Sequence, residues 1–292
     1  QSQTRLNISL VGSNKPPQAS SGFGDVWGEG NIGCMGVWQS SAYNNLGVAI
    51  FDISNPANPV LHTNYNPFPG SAANQFEQGV VRNRILYAAS WGNAGGSGAG
   101  VQIVSLTNPA APVLLSRITA STPGTVQNGF NNVHTLYLER NFLYEAAHVT
   151  GTVTVKVFDV SNPLLPVYVR DIVTTNTTKV HQITARTNQS GQVILYTSGW
   201  GGASTGNPAS PGQTDLWNVT QVGTQPAQWL GRVFSGDNSH SSWPTEDGNT
   251  LVICRETAGG EVKLYDISNP GSLTNGPSPR ATITPAGLGL EA

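Results

Sequence analysis

Short runs in which apolar and polar residues alternate occur along the whole chain. One of them, Val-Ala-Ile-Phe-Asp at residues 48–52, has close counterparts beginning at Val101, Val155 and Val262. A period of two residues is the pattern of half-buried β-strands, because successive side chains of a strand point to opposite faces. Helical periodicity is almost absent. The chain is therefore predicted to be an all-β protein.

The same run belongs to an internal repeat. In three copies it is followed by Asp-x-Ser-Asn-Pro, a turn sequence in which Asp and Asn cap the backbone and Pro fixes φ. A degenerate copy around residue 217 lacks the Asn-Pro pair. Five copies follow one another at intervals of 48 to 59 residues when they are aligned on Phe51, Val104, Phe158, Trp217 and Tyr265.

Each copy contains four apolar runs separated by turn residues, which is the pattern of one propeller blade. We therefore predict one domain over residues 1–292, a β-propeller of five four-stranded antiparallel blades. The predicted blades are residues 24–63, 76–118, 132–173, 180–233 and 239–284. Residues 1–12 are predicted to form a leading strand that completes the last blade, unless the five copies belong to a larger ring. A parallel β-helix competes with this prediction, but its repeats are usually much shorter.

The sequence Val-x-Ile-Phe-Asp-Ile-Ser-Asn-Pro-x-x-Pro at residues 48–59 resembles the LVIVD repeat. The order of other motifs, such as Asn132-Val-His and His240-Ser-Ser-Trp-Pro, is similar to that of the choice-of-anchor B group of bacterial extracellular propellers. The similarity covers most of the chain, and the degenerate fourth copy and the low charge depart from it. The resemblance implies the fold and an exported location but no established reaction, so function has to be argued from sites.

The composition favours an extracellular protein. Charged residues make up 10% of the chain, against about 25% in typical soluble domains. The net charge of −2 gives no electrostatic basis for binding nucleic acid, and no apolar stretch approaches the ~20 residues that span a bilayer. We expect a secreted protein, glycosylated if its host modifies exported chains. Four glycosylation sequons begin at Asn7, Asn176, Asn188 and Asn218.

Aligning the second strands of the copies places one polar residue near the start of each inner strand. These residues are Asp25, Glu77, His134, His181 and His240. In a propeller this point shares a face with the loops between the second and third strands. Those loops contain Trp91, His148, Trp200, Arg255 and Glu256. We expect both sets to converge at one end of the propeller axis.

Three imidazoles and two carboxylates suit a divalent transition metal. They equally suit acid–base chemistry on a polysaccharide or a cell-surface glycan, with Trp91 and Trp200 as stacking platforms and Arg255 binding a uronate carboxylate. A structural alternative is that each His caps its inner strand by hydrogen-bonding neighbouring blades. Equivalent positions of a repeat often have the same structural role in every copy, so the alignment of these residues does not by itself indicate a binding site.

The two cysteines, Cys34 and Cys254, fall in the second strands of the first and fifth copies. Those blades are neighbours in a closed five-bladed ring. The register therefore predicts a disulfide that closes a loop of about 220 residues and contributes on the order of 5 kcal/mol. The alternative is two small buried residues.

Three functions follow from these features. The first is a non-enzymatic extracellular binding or scaffold protein of a surface, matrix or filament, with carbohydrate contacts. The second is a secreted polysaccharide lyase or glycoside hydrolase with its site on the His-bearing face. The third is self-assembly into a homo-oligomer, in which the terminal strand segments pair between subunits.

Overall fold

A computed structural model describes residues 9–15, 23–37, 47–67, 74–92, 100–119, 121–123, 133–147, 154–175, 177, 179–201, 212–236, 238–256 and 260–284. The strands within these ranges are β1 (Phe23–Glu29), β2 (Ile32–Val37), β3 (Val48–Asp52), β4 (Val60–Tyr65), β5 (Asn74–Arg82), β6 (Ile85–Gly92), β7 (Gly100–Ser105), β8 (Val113–Ile118), β9 (Val133–Glu139), β10 (Phe142–Ala147), β11 (Thr154–Asp159), β12 (Val167–Val173), β13 (Lys179–Thr187), β14 (Val193–Trp200), β15 (Gly212–Asn218), β16 (Gln228–Gly236), β17 (Ser241–Pro244), β18 (Thr250–Cys254), β19 (Val262–Asp266) and β20 (Ala281–Ile283). A short 3-10 helix, Pro270–Asn275, lies between the last two strands.

The strands form five four-stranded antiparallel blades arranged as a β-propeller, as predicted. Consecutive strands pair in order within each blade, and β1, β5, β9, β13 and β17 are the inner strands. The first two blades are also joined by a pairing of Val37 in β2 with Phe76 in β5. Because inner strands of successive blades contact one another, the residues at their first positions lie around one axis.

The repeated turn forms for the reason that the sequence suggests. Asp52 Oδ1 accepts a hydrogen bond from the backbone N–H of Ser54 at 2.8 Å, and Asp159 caps its turn in the same way. In the degenerate fourth copy, Asn218 occupies the Asp position and accepts from the N–H of Thr220 at 3.0 Å. The turn therefore survives without Asn-Pro, because any Asx side chain at this position can cap it.

Each junction between consecutive blades, from the first to the fifth, contains an apolar cluster. Burying one large aliphatic or aromatic side chain stabilises the fold by roughly 1.5–3 kcal/mol. The clusters are contributed by one face of each blade and the opposite face of the next, as the alternation of side chains requires. Examples of the facing residues are Ile50 and Leu86, Ile103 and Phe158, Val157 and Leu195, and Tyr196 and Tyr265.

Aromatic side chains fill the centre of the ring. Trp27 packs edge-on against Tyr137, with ring centroids 5.6 Å apart, and Tyr137 lies 6.1 Å from Trp243. These residues belong to the first, third and fifth blades, so their contacts cross the axis. Trp27 Nε1 also donates a hydrogen bond to the carbonyl of Val81 at 3.1 Å. The inner strands are therefore held together by direct packing across the axis.

The structure does not contain the predicted disulfide: Cys34 and Cys254 are both free thiols. Cys34 belongs to the cluster between the first and second blades, where its Sγ donates to the carbonyl of Gly79 at 3.2 Å. Cys254 follows Ile253, whose side chain packs on the fourth blade, so Cys254 lies on the opposite face of its own blade. Cys34 thus faces away from the fifth blade, and the two sulfur atoms cannot meet.

The N-terminal segment runs along the first blade where it is described. Asn14 donates a side-chain hydrogen bond to the carbonyl of Pro59 at 2.7 Å. Residues 9–12, the described part of the predicted leading strand, are irregular, and Leu10 and Val11 are exposed. The rest of that strand lies outside the described residues.

Candidate functional site

The five residues that the repeat register aligned lie around one small cavity at an end of the axis. The cavity has a volume of about 30 Å³, enough for one water molecule or one metal ion. Thr135 and Gln182 complete its lining. Each of the five blades contributes one of the aligned residues, which are Asp25, Glu77, His134, His181 and His240.

His134 and His181 face each other through their Nε2 atoms, which are 3.1 Å apart. Both residues are buried. His181 Nδ1 lies 3.0 Å from the backbone carbonyl of His240. A carbonyl can only accept, so Nδ1 of His181 carries the proton and its Nε2 presents a lone pair to His134. The hydrogen bond of Nδ1 to the carbonyl of His240 thus orients Nε2 of His181 toward the cavity.

His240 extends the histidine pair toward solvent. Its ring centroid is 4.0 Å from that of His181, and its Nε2 is 3.4 Å from Glu256 Oε2. Burial lowers the pKa of His240, against the opposing charges of Glu256 and Asp25. The ligand atoms of His181, His240 and Glu256 all lie within 4.8 Å of one another, so these three side chains could hold a metal ion.

Two carboxyl groups border the same cavity. Burial raises the pKa of Glu77, and the nearby charges of Asp25 and Glu256 add to this shift, so that the pKa reaches about 8. Its Oε2 atom is buried and has no hydrogen-bond partner among the residues that the structure describes. Burial also raises the pKa of Asp25, whose Oδ2 accepts from Gln182 Nε2 at 3.3 Å. The cavity therefore gathers carboxyl groups whose ionised forms are poorly solvated.

Trp200 contacts two polar side chains. Its ring is parallel to that of His181, with centroids 5.4 Å apart and an interplanar angle of 8°, and Lys179 Nζ lies 3.7 Å from its ring centroid. Trp200 therefore packs against His181, and its role as a stacking platform for a sugar stays a prediction.

Arg255 is also engaged within the protein. Its Nη1 lies 3.1 Å from Glu261 Oε2, and Lys263 Nζ contacts the same carboxylate at 3.0 Å. The sequence suggested that Arg255 binds a uronate, but here a carboxylate of the chain is its partner. Trp91 lies in β6, but its side chain is outside the described part of the chain, as is all of His148.

The repeat register identified the cavity but missed Lys179 and Gln182, which lie two residues and one residue from His181. Two sequons also fall on described residues. Asn188 lies in the turn between β13 and β14, where its side chain caps the turn, and Asn218 caps the turn after β15. Asn7 and Asn176 lie outside the described residues.

The donor geometry fits a divalent transition metal. Two nitrogens bound to tetrahedral Zn²⁺ at about 2.0–2.1 Å are roughly 3.3 Å apart, close to the 3.1 Å between the Nε2 atoms of His134 and His181. The hydrogen bond from His181 Nδ1 to a carbonyl is the outer contact that usually orients a metal-binding His. To bind an ion together with His181, His134 has to carry its proton on Nδ1 and both rings have to direct their Nε2 lone pairs at the ion.

Comparison with known proteins supports the fold. Residues 42–67 match the LVIVD repeat model. Among curated proteins none matches the chain. The computationally designed Ika8 protein has a TM-score of 0.54 at 14% identity, with 89% of this chain and 61% of that chain covered. This chain therefore spans less than two thirds of the length of Ika8.

Two natural propellers are similar at the same level. A Bacteroides fragilis protein provisionally assigned as a 6-phosphogluconolactonase has a TM-score of 0.58 at 14% identity, covering 89% of this chain and 69% of its own. The Cps50 (Swd1) β-propeller domain of Myceliophteria thermophila has a TM-score of 0.55 at 9% identity, covering 92% and 74%. At these identities the likeness is one of fold alone. Among the described residues, no helix has the length and apolarity to cross a membrane.

Proposed function

We propose that this protein is a non-enzymatic β-propeller that binds one divalent transition-metal ion, with Zn²⁺ as the reference ion, at the axial cavity. His134 and His181 bind it through Nε2, and His240 with a carboxylate completes the set. The observation that carries the proposal is the Nε2 pair at 3.1 Å, oriented by the carbonyl of His240 and bordered by carboxyl groups. Nitrogen and oxygen ligands of this kind are those that Zn²⁺ prefers.

The proposed setting is outside the cell, where the propeller acts as a binding or scaffold component. The low charge of the chain supports this setting, as does the match of residues 42–67 to the LVIVD repeat. Glycan contacts on the same face remain part of this proposal. Trp200 packs on His181 and Arg255 pairs with Glu261, so glycan contacts by these two residues would add to contacts within the chain.

The test is metal binding by the purified full chain after treatment with a chelator. We expect equilibrium dialysis with Zn²⁺, followed by elemental analysis, to give one ion per chain. His181→Ala should weaken binding by more than about 100-fold, since even outer contacts of a metal ligand are worth roughly 10–100-fold. His62→Ala is the matched control, because His62 is exposed on β4 in the outer strand of the first blade.

Two results would contradict the proposal. One is the absence of a bound ion at micromolar Zn²⁺ from wild-type protein whose circular dichroism shows that it is folded. The other is an equal loss of binding in His62→Ala and His181→Ala, which would mean that Zn²⁺ binds exposed imidazoles without using the cavity.

A further inference from the structure

The junction between the fifth and first blades differs from the other four. Every other junction contains an apolar cluster, whereas no such cluster joins the fifth and first blades among the residues that the structure describes. On the first blade, Val26 in the inner strand is 74% exposed. The apolar burial that holds successive blades together is therefore weak at this junction.

The face of the fifth blade that is turned away from the fourth blade is also poorly covered. Strand pairing makes Trp243 equivalent to Tyr137 of the third blade, and Ile283 equivalent to Ile172. Tyr137 and Ile172 are 7% and 3% exposed beneath the fourth blade, but Trp243 and Ile283 are 46% and 52% exposed. The fifth blade thus carries a normal interface face that no neighbouring blade covers in the described structure.

The axial cavity is where the first and fifth blades approach each other through polar groups. Asp25 of the first blade and His240 of the fifth both line it, and each charge acts on the other. Asp25 is further bonded to Gln182 of the fourth blade. An ion bound between Asp25 and the histidines would therefore connect the first blade to the third, fourth and fifth.

We infer that the metal ion closes the ring, linking the first and fifth blades where apolar packing does not. This inference rests on the proposed function, since it assigns a role to the same ion. A metal bound by residues far apart in sequence adds its binding free energy to the folded arrangement, because those residues are brought together only there. The ion would thus suppress opening of the junction without changing the other four interfaces.

The test is hydrogen exchange of the full chain, measured by mass spectrometry with Zn²⁺ and with a chelator. At a Zn²⁺ concentration 100 times the Kd, openings that release the ion should become about 100-fold rarer. Exchange in β1 and in β17–β20 should slow by up to that factor. Exchange in β10–β12 of the third blade, which is packed on both sides, should change little.

Two variants separate the role of the ion at the junction from its binding. Asp25→Asn should bind Zn²⁺ more weakly, through the histidines alone, and even at saturating Zn²⁺ it should lose the Zn²⁺-dependent protection of β1. Glu77→Gln is the control, because it changes a carboxyl group of the same cavity on the second blade, which is already packed against the first. At saturating Zn²⁺ this variant should keep the Zn²⁺-dependent protection of β1.

The outcomes are distinguishable. If the wild-type chain binds no Zn²⁺, the proposed function fails. If it binds Zn²⁺ but protection is absent from β1 and β17–β20, or spreads evenly over all blades, the ion does not close the ring and this inference is overturned while the binding site stands. Equal protection of β1 in Asp25→Asn and wild type would also overturn it.

Discussion

Replacing Asp215 by Ala tests how the fourth blade holds His181 in position. Asp215 is fully buried, and its Oδ1 lies 2.7 Å from Arg232 Nε. Arg232 Nη2 in turn donates to the carbonyl of Thr175 at 3.1 Å, and Gln213 donates to the same carbonyl. The network thus fixes the segment that leads into β13, where His181 is the third residue.

The expected magnitude follows from the burial of the pair. Removing one partner of a buried ion pair leaves the other charge without compensation, which costs about 3–5 kcal/mol. For a chain of this size that lowers Tm by on the order of 10 °C. Because Asp215 acts on His181 only through the backbone, Zn²⁺ affinity should fall by roughly 10–100-fold, as for other outer contacts.

Urea denaturation gives the free energy of unfolding, and isothermal titration calorimetry gives the Zn²⁺ affinity. The double variant Asp215→Leu with Arg232→Met should cost less than Asp215→Ala alone, since neither charge is then left buried without its partner. Arg280→Gln is the control, because it breaks an exposed pair with Asp266 that is worth about 0–1 kcal/mol. A loss for Asp215→Ala no larger than that of Arg280→Gln would refute the reasoning.

Two further predictions concern groups away from the cavity. A thiol reagent should modify Cys254 in the folded protein and Cys34 only in denaturant, because burial raises the pKa of Cys34 to about 12. Rapid modification of both thiols in the folded protein would contradict the burial of Cys34 between the first and second blades. Glu145→Gln should stabilise the protein increasingly as pH rises above about 4.5, because burial raises the pKa of Glu145 in the folded state while the unfolded state ionises normally. Glu246→Gln, at a side chain 95% exposed, should show no such trend in thermal melts. A flat profile for Glu145→Gln would count against a raised pKa of Glu145 in the folded state.

The convergence of the five cavity residues was predictable because a repeat gives positions in a ring. Once His134 and His181 are aligned in register, the propeller geometry brings them to the same end of the axis. The disulfide prediction was wrong because it used the position along the strand and ignored the alternation of side chains, which turns Cys34 toward the second blade. The stacking of Trp200 on His181 depends on side-chain rotamers, which the spacing of residues does not determine.

One donor per blade also has an evolutionary consequence. Duplication of a blade would bring its own axial side chain, and loss of a blade would remove one, so the number of groups around the cavity changes in step with the length of the gene. A substitution at a single aligned position, such as Glu77 or His134, changes the chemistry of the cavity without disturbing the strands that carry it. A repeat protein of this design can therefore alter what it binds by copying, deleting or editing one unit at a time.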